Sequence, residues 1–85
     1  MRVSVQVLGS QLDHPITLEL PQGSTVGQAL DGLRAQAPGL DPNPLEDPSS
    51  YLVLVEGVEV GNLEGLDTPL KDGQKVVIIP VVHGG

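Results

Sequence analysis

Thr25-Val26-Gly27-Gln28-Ala29-Leu30-Asp31-Gly32-Leu33-Arg34-Ala35-Gln36-Ala37 is the stretch whose reading decides the fold. Val26, Ala29, Leu30, Leu33 and Ala37 fall at i, i+3, i+4, i+7 and i+11, a single apolar stripe on a helix. Thr25 and Gln28 have the spacing of a capping box, in which hydroxyl and amide each satisfy an orphan backbone N–H. Gly27 and Gly32 each weaken an isolated helix by up to about 1 kcal/mol relative to alanine. The helix must therefore lean on a partner surface. Pro38-Gly39 ends it.

The flanking segments supply that surface, because their period is two. Val3, Val5 and Val7 alternate with Arg2, Ser4 and Gln6, the pattern of a half-buried strand. Gly9 to His14 reads as a turn, with His14 solvated. Ile16, Leu18 and Leu20 then repeat the alternation against Thr17 and Glu19, which gives a hairpin stopped by Pro21-Gln22-Gly23. Beyond the helix, Tyr51 to Val55 is apolar on both faces. Glu56-Gly57 makes a tight turn into the short strand Val58 to Val60. Gly61 to Leu70 is irregular, with Leu63, Leu66 and Leu70 as its expected apolar anchors. Lys71-Asp72-Gly73 signals a turn, and Lys75 to Pro80 is the last strand.

One helix covering one face of a mixed sheet buries both the helical stripe and the alternating strands. The fold class is therefore α+β. The connection from the first hairpin through the helix suits a β-grasp roll, with one main helix on a four- to five-stranded sheet and the first and last strands parallel at its centre. Residues 1–80 form the domain, and residues 81–85 a flexible tail ending in Gly84-Gly85.

The last and third strands lack a polar side, yet the helix can cover only one face. An apolar patch is expected on the other face, from Val77 and Ile79 or from Val76 and Ile78, with neighbours on the third strand. Val53, Val55, Val77 and Ile79 are the candidate set, since such patches mark partner sites.

Composition removes several functions. The 85 residues carry eleven acidic and four basic side chains, a formal charge of −7, with no cysteine. That excludes disulfides, thiolate metal sites and a cysteine nucleophile. Four cations make no basic stripe for phosphates, and Tyr51 alone makes no stacking platform, so no nucleic acid is expected. The acidic body favours a basic protein partner. Pro38 to Ser50 holds four prolines and three acids and reads as a surface loop. Asp41-Pro42-Asn43 lacks the spacing of a calcium loop, so no metal is expected. Asp, His and Ser form no recognisable triad. The run Val76 to Val82 is too short to span a bilayer, and the first residues lack a signal-peptide layout; a cytoplasmic protein is expected.

The chain ends in His83-Gly84-Gly85. Glycines stabilise no fold, since they lose the most freedom on ordering and pack nothing. They do suit a carboxylate that must thread a narrow enzyme channel. Val82 to Gly85, extended, spans roughly 13 Å.

Taken in order, these features resemble the ubiquitin-like sulfur carriers: the small subunit of molybdopterin synthase, the thiamine sulfur carrier and the ubiquitin-related modifier. The resemblance covers nearly the whole chain. It is strongest in Tyr51-Leu52-Val53-Leu54-Val55, Val58-Glu59-Val60, Gly65-Leu66-Asp67-Thr68-Pro69-Leu70-Lys71-Asp72-Gly73, Val76-Val77-Ile78-Ile79-Pro80 and the Gly-Gly end. Gly23-Ser24-Thr25-Val26-Gly27 also looks typical. Molybdopterin-synthase small subunits commonly carry phenylalanine in the first and last strands, and this chain has none. They also have a small residue before Gly-Gly, where His83 looks more like the ubiquitin-related modifier. The pathway is thereby left open.

The resemblance implies a carrier protein rather than an enzyme. A ubiquitin-activating-type adenylating enzyme uses ATP to adenylate the Gly85 carboxylate. Sulfur from a donor then displaces AMP and leaves a thiocarboxylate, which passes sulfur to an acceptor enzyme such as a synthase large subunit, for molybdopterin or another cofactor or for tRNA thiolation. The chain itself binds no cofactor. Val81, Val82, His83 and Gly84 serve recognition of the tail, His83 as a contact rather than a general base. The alternative is a protein modifier that uses the same adenylate to form an isopeptide bond to a target lysine.

Overall fold

The computed structural model describes residues 1–8, 14–37 and 51–81. The elements, in order, are β1 (Arg2–Val7), β2 (Ile16–Glu19), α1 (Val26–Gln36), β3 (Tyr51–Val55), β4 (Val58–Glu59) and β5 (Lys75–Pro80). Two short 3-10 turns, Val60–Asn62 and Gly65–Asp67, lie between β4 and β5. The turn expected over Gly9 to Asp13, the helix stop at Pro38-Gly39, the proline-rich loop with Asp41 and the chain end from Val82 to Gly85 lie outside the described residues.

The strands form one five-stranded sheet in the order β2-β1-β5-β3-β4. β1 pairs antiparallel with β2 and parallel with β5, and β3 pairs antiparallel with both β5 and β4. First and last strands are therefore parallel neighbours at the centre, with one helix against the sheet, which is the β-grasp roll.

The central parallel pair is set by a small turn. Gly73, at φ 84°, takes a conformation open to glycine, and its N–H donates to the Arg2 carbonyl at 2.7 Å. The Arg2 N–H in turn donates to the Asp72 carboxylate at 2.7 Å, and the Ser4 N–H to the Gln74 carbonyl at 3.0 Å. Lys71-Asp72-Gly73-Gln74 thus brings the start of β5 to the start of β1, although the two segments lie at opposite ends of the sequence. The β3–β4 hairpin turns at Glu56 and Gly57, both with positive φ, the sign pattern of a type I′ turn that matches strand twist. Glu56 exchanges two bonds with Lys75: its N–H donates to the Lys75 carbonyl at 3.0 Å, and its carboxylate accepts the Lys75 N–H at 2.7 Å.

Helix α1 starts as its sequence requires. The Gln28 N–H donates to the Thr25 hydroxyl at 3.4 Å, and the Thr25 N–H donates to the Gln28 side-chain oxygen at 2.8 Å, completing the capping box. Thr68 to Leu70 lies beside this start. The Val26 N–H donates to the Thr68 carbonyl, and the Leu70 N–H to the Ser24 carbonyl, at 2.9 and 2.8 Å. The buried hydroxyls of Ser24 and Thr68 are also engaged, on the carbonyls of Pro21 and Gly65.

The core lies between α1 and one face of the sheet. Val26, Ala29, Leu30 and Leu33 from the helix meet Val3, Val5, Val7, Leu18, Val76 and Ile78. Burying a side chain such as Leu33 or Ile78 contributes roughly 1.5–3 kcal/mol. Val53 and Val55 belong to this core, at 9% and 5% exposed, and not to an outer patch. Register is the reason: Val53 lies opposite Ile78 and Val55 opposite Val76, so all four side chains point to the helix. Leu70 anchors the irregular segment at 4% exposed, whereas Leu63 and Leu66, expected as anchors, stand in solvent at 45% and 47%. The 3-10 turns hold the backbone here through Val60, Thr68 and Leu70, so the two leucines are not needed inside.

Candidate functional site: the open sheet face and the chain end

Side chains alternate along a strand, so the face turned away from α1 follows from the core. On β5 it carries Lys75, Val77 and Ile79, the last two half-buried. On β3 it carries Leu52, exposed, and Leu54, half-buried. Ser4 and Gln6 occupy it on β1, and exposed Leu8 continues their alternation.

Register orders these residues into rows across the sheet. Leu52 lies opposite Ile79, and Leu54 opposite Val77. Gln6 is the parallel partner of Val77, and Ser4 of Lys75. Glu59 on β4 lies opposite Leu54. One row therefore reads Gln6-Val77-Leu54-Glu59, polar at both ends. The next row toward the C-terminal end of β5 reads Ile79-Leu52, and the Leu8 N–H donates to the Ile78 carbonyl at 2.9 Å beside it. Behind lie Lys75, Ser4 and the Arg2–Glu19 pair. The face thus grades from charged to apolar in the direction that β5 travels, and Val81 follows at its apolar end.

The candidate patch is divided accordingly. Val77 and Ile79 lie on the open face. Val53 and Val55 do not: they are buried under the helix, and Leu52, Leu54 and Leu8, absent from the candidate set read from the sequence, occupy the open face instead. Val81 is half-buried at the end of β5. Val82, His83, Gly84 and Gly85 lie outside the described residues. Among the described residues, no group of three or more His, Cys, Asp or Glu side chains converges as for a metal ion. No helix there is long and apolar enough to cross a membrane. The exposed guanidinium of Arg2 is held above its ordinary pKa, first by its hydrogen bond to Glu19 and then by that carboxylate's charge.

Comparison with known proteins agrees with this architecture. Residues 5–85 match the ThiS family. Small archaeal modifier protein 3 of Haloferax volcanii is 40% identical over 65 residues, which cover 73% of this chain and 71% of that protein. The solution structure of the Haloferax volcanii HVO 2177 protein superposes with a TM-score of 0.79 at 31% identity, over 100% of this chain and 87% of the other. A complex of subunits 1 and 2 of molybdopterin-converting factor from Helicobacter pylori contains a chain with the same fold, at a TM-score of 0.58 and 24% identity over 100% of both chains. With a β-grasp body, a family match that runs from residue 5 through Gly85 and a modifier protein 40% identical to it, the chain belongs to the ThiS family of ubiquitin-like sulfur carriers and modifiers.

Proposed function

We propose that this protein is a sulfur carrier whose reacting group is the Gly85 carboxylate. The observation that carries the reading is the graded open face. Its apolar end, Leu52 and Ile79, lies where β5 passes into Val81, and Gly84-Gly85 follow within four residues of the sequence. A partner seated on that end of the sheet receives the chain terminus in the same encounter. An adenylating enzyme of the ubiquitin-activating type is such a partner. In its site the Gly85 carboxylate oxygen attacks the α-phosphorus of ATP, and pyrophosphate leaves. Sulfide then attacks the Gly85 carbonyl carbon, AMP leaves with the bonding pair, and a thiocarboxylate results. A persulfide donor instead leaves an acyl disulfide, which a second thiol cleaves to the thiocarboxylate and a disulfide of the two donor sulfurs. The thiocarboxylate formed passes its sulfur to an acceptor enzyme.

On this reading the chain is not itself a catalyst. It binds no cofactor, and the ATP belongs to the partner's site. Val81, Val82 and His83 contact the mouth of the partner's channel. Gly84 and Gly85, without Cβ atoms, let the backbone pass close to the channel walls. The setting is the cytoplasm, where ATP and persulfide donors are available.

The subunit complex of molybdopterin-converting factor is a complex of a protein with this fold and supports docking of a synthase subunit in general terms. A second reading is favoured by the relative at 40% identity, whose name is that of a modifier. In it the same adenylate is resolved by a lysine amine of a target protein, giving an isopeptide bond. ATP–pyrophosphate exchange by the cognate activating enzyme tests the step common to both. Exchange should require this protein and be lost on deletion of Gly84-Gly85. Exchange that persists with the deleted chain contradicts both readings.

A further inference from the structure

A second set of exposed apolar side chains lies in β4 and around the two 3-10 turns. Val58, Leu63 and Leu66 are 43%, 45% and 47% exposed. Val58 lies opposite the core residue Val55, so its side chain points to the helix side of the sheet. Leu66 sits on the same side. A Cβ built at Gly27, in the first turn of α1, would stand 3.3 Å from the Leu66 carbonyl oxygen and 3.5 Å from its Cβ. Val58 and Leu66 are therefore presented on the side opposite Leu52, Leu54, Val77 and Ile79, and exposed Leu63 lies between the two 3-10 turns.

Charge says what would cover it. Residues 36–70 contain seven acidic side chains and no Lys, Arg or His, while the rest of the chain holds four acids and four bases. Among the described residues of that segment, Glu56, Glu59, Glu64 and Asp67 are acidic and none is basic. At the corner, the Glu59 carboxylate is bound to the Gly61 N–H. The carboxylates of Glu64 and Asp67, on either side of Leu66, are exposed and make no hydrogen bond or ion pair among the described residues. Leucines framed by unpaired anions are complementary to apolar side chains framed by cations. β4 has only two residues, so it offers little backbone ladder for an added strand. A helix presenting one face is the better match.

We propose that the β4 and 3-10 corner, centred on Leu63 and Leu66 with Glu64 and Asp67, docks a basic amphipathic helix of a protein partner. It can do so while the open face and chain end are engaged elsewhere. The assignment does not depend on the chemistry at Gly85.

The test uses the whole chain, isotopically labelled, titrated by NMR with a synthetic amphipathic helical peptide bearing leucines on one face and lysines on its flanks. A peptide of equal charge with serine in place of leucine is the control. The leucine peptide should saturably shift the amides of Val58, Leu63 to Asp67 and Gly27. The Leu63→Ser/Leu66→Ser double variant should weaken it about ten-fold, as loss of a central apolar anchor does. Glu64→Gln/Asp67→Gln should weaken it several-fold and flatten its salt dependence. Unchanged amide spectra away from the corner report that the variants remain folded. Equal binding of the serine peptide, or shifts centred on Leu52, Leu54 and Ile79, overturns the proposal.

Discussion

Thr25 and Gln28 secure the start of α1 from both sides, and neither is among the buried core residues. Thr25→Ala removes the hydroxyl that accepts the Gln28 N–H. It should cost about 1 kcal/mol in urea unfolding, with the slope of the transition unchanged. The two helix glycines separate in a way their shared helix propensity does not foretell. At Gly32 an added methyl would meet the Leu18 Cδ1 at 3.4 Å, an ordinary contact. Gly32→Ala should therefore stabilise by roughly 0.5–1 kcal/mol, through propensity and a less free unfolded chain. At Gly27 the methyl would press on the Leu66 carbonyl oxygen at 3.3 Å. Gly27→Ala should gain less than Gly32→Ala, or lose stability, when the two are compared by thermal melting. A spacing rule finds the helix, but only the crossing of residues 65–67 over its first turn distinguishes these glycines.

Strand β5 is the element in which stability and docking occupy alternate residues. Ile78 is fully buried against α1, and Ile79 lies next to it on the open face. Ile78→Ala should destabilise by about 2–5 kcal/mol, the range for truncating a packed core side chain. Ile79→Ser should change stability by about 1 kcal/mol or less, yet lower kcat/KM for pyrophosphate exchange with the activating enzyme. β1 and β2 were legible from alternation, because one polar side fixes their parity, α1 from its helical stripe and cap spacing, and β3 and β5 as short apolar runs between turns. In β3 both sides are apolar, and parity there was read wrongly at Val53 and Val55. The needed signal lay one turn away. A two-residue turn at Glu56-Gly57 sets Glu59 opposite Leu54, and a charge belongs on the solvent side, which leaves Val53 and Val55 inside. Lys75 gives the same parity for β5. Leu63 and Leu66 were misread for a different reason: irregular backbone has no period, so apolarity alone cannot say which leucine is buried.

At the scale of the whole molecule, the sheet sorts its business by position. The central parallel pair of β1 and β5 carries much of the core, while Glu59, Glu64 and Asp67 lie in and just after the β4 edge strand along the chain. The described core residues run no further than Ile78, and the two terminal glycines have no side chain to bury. Deleting Gly84-Gly85 should leave the melting temperature unchanged while removing every reaction at the terminus. The most direct test is intact-mass analysis of the full chain after incubation with its activating enzyme, ATP and a sulfur source. The account predicts a species in which one oxygen has been replaced by sulfur, located at Gly85 by fragmentation and absent from the chain lacking Gly84-Gly85. An unchanged mass under conditions in which the enzyme turns over ATP, or sulfur found elsewhere on the chain, would contradict it.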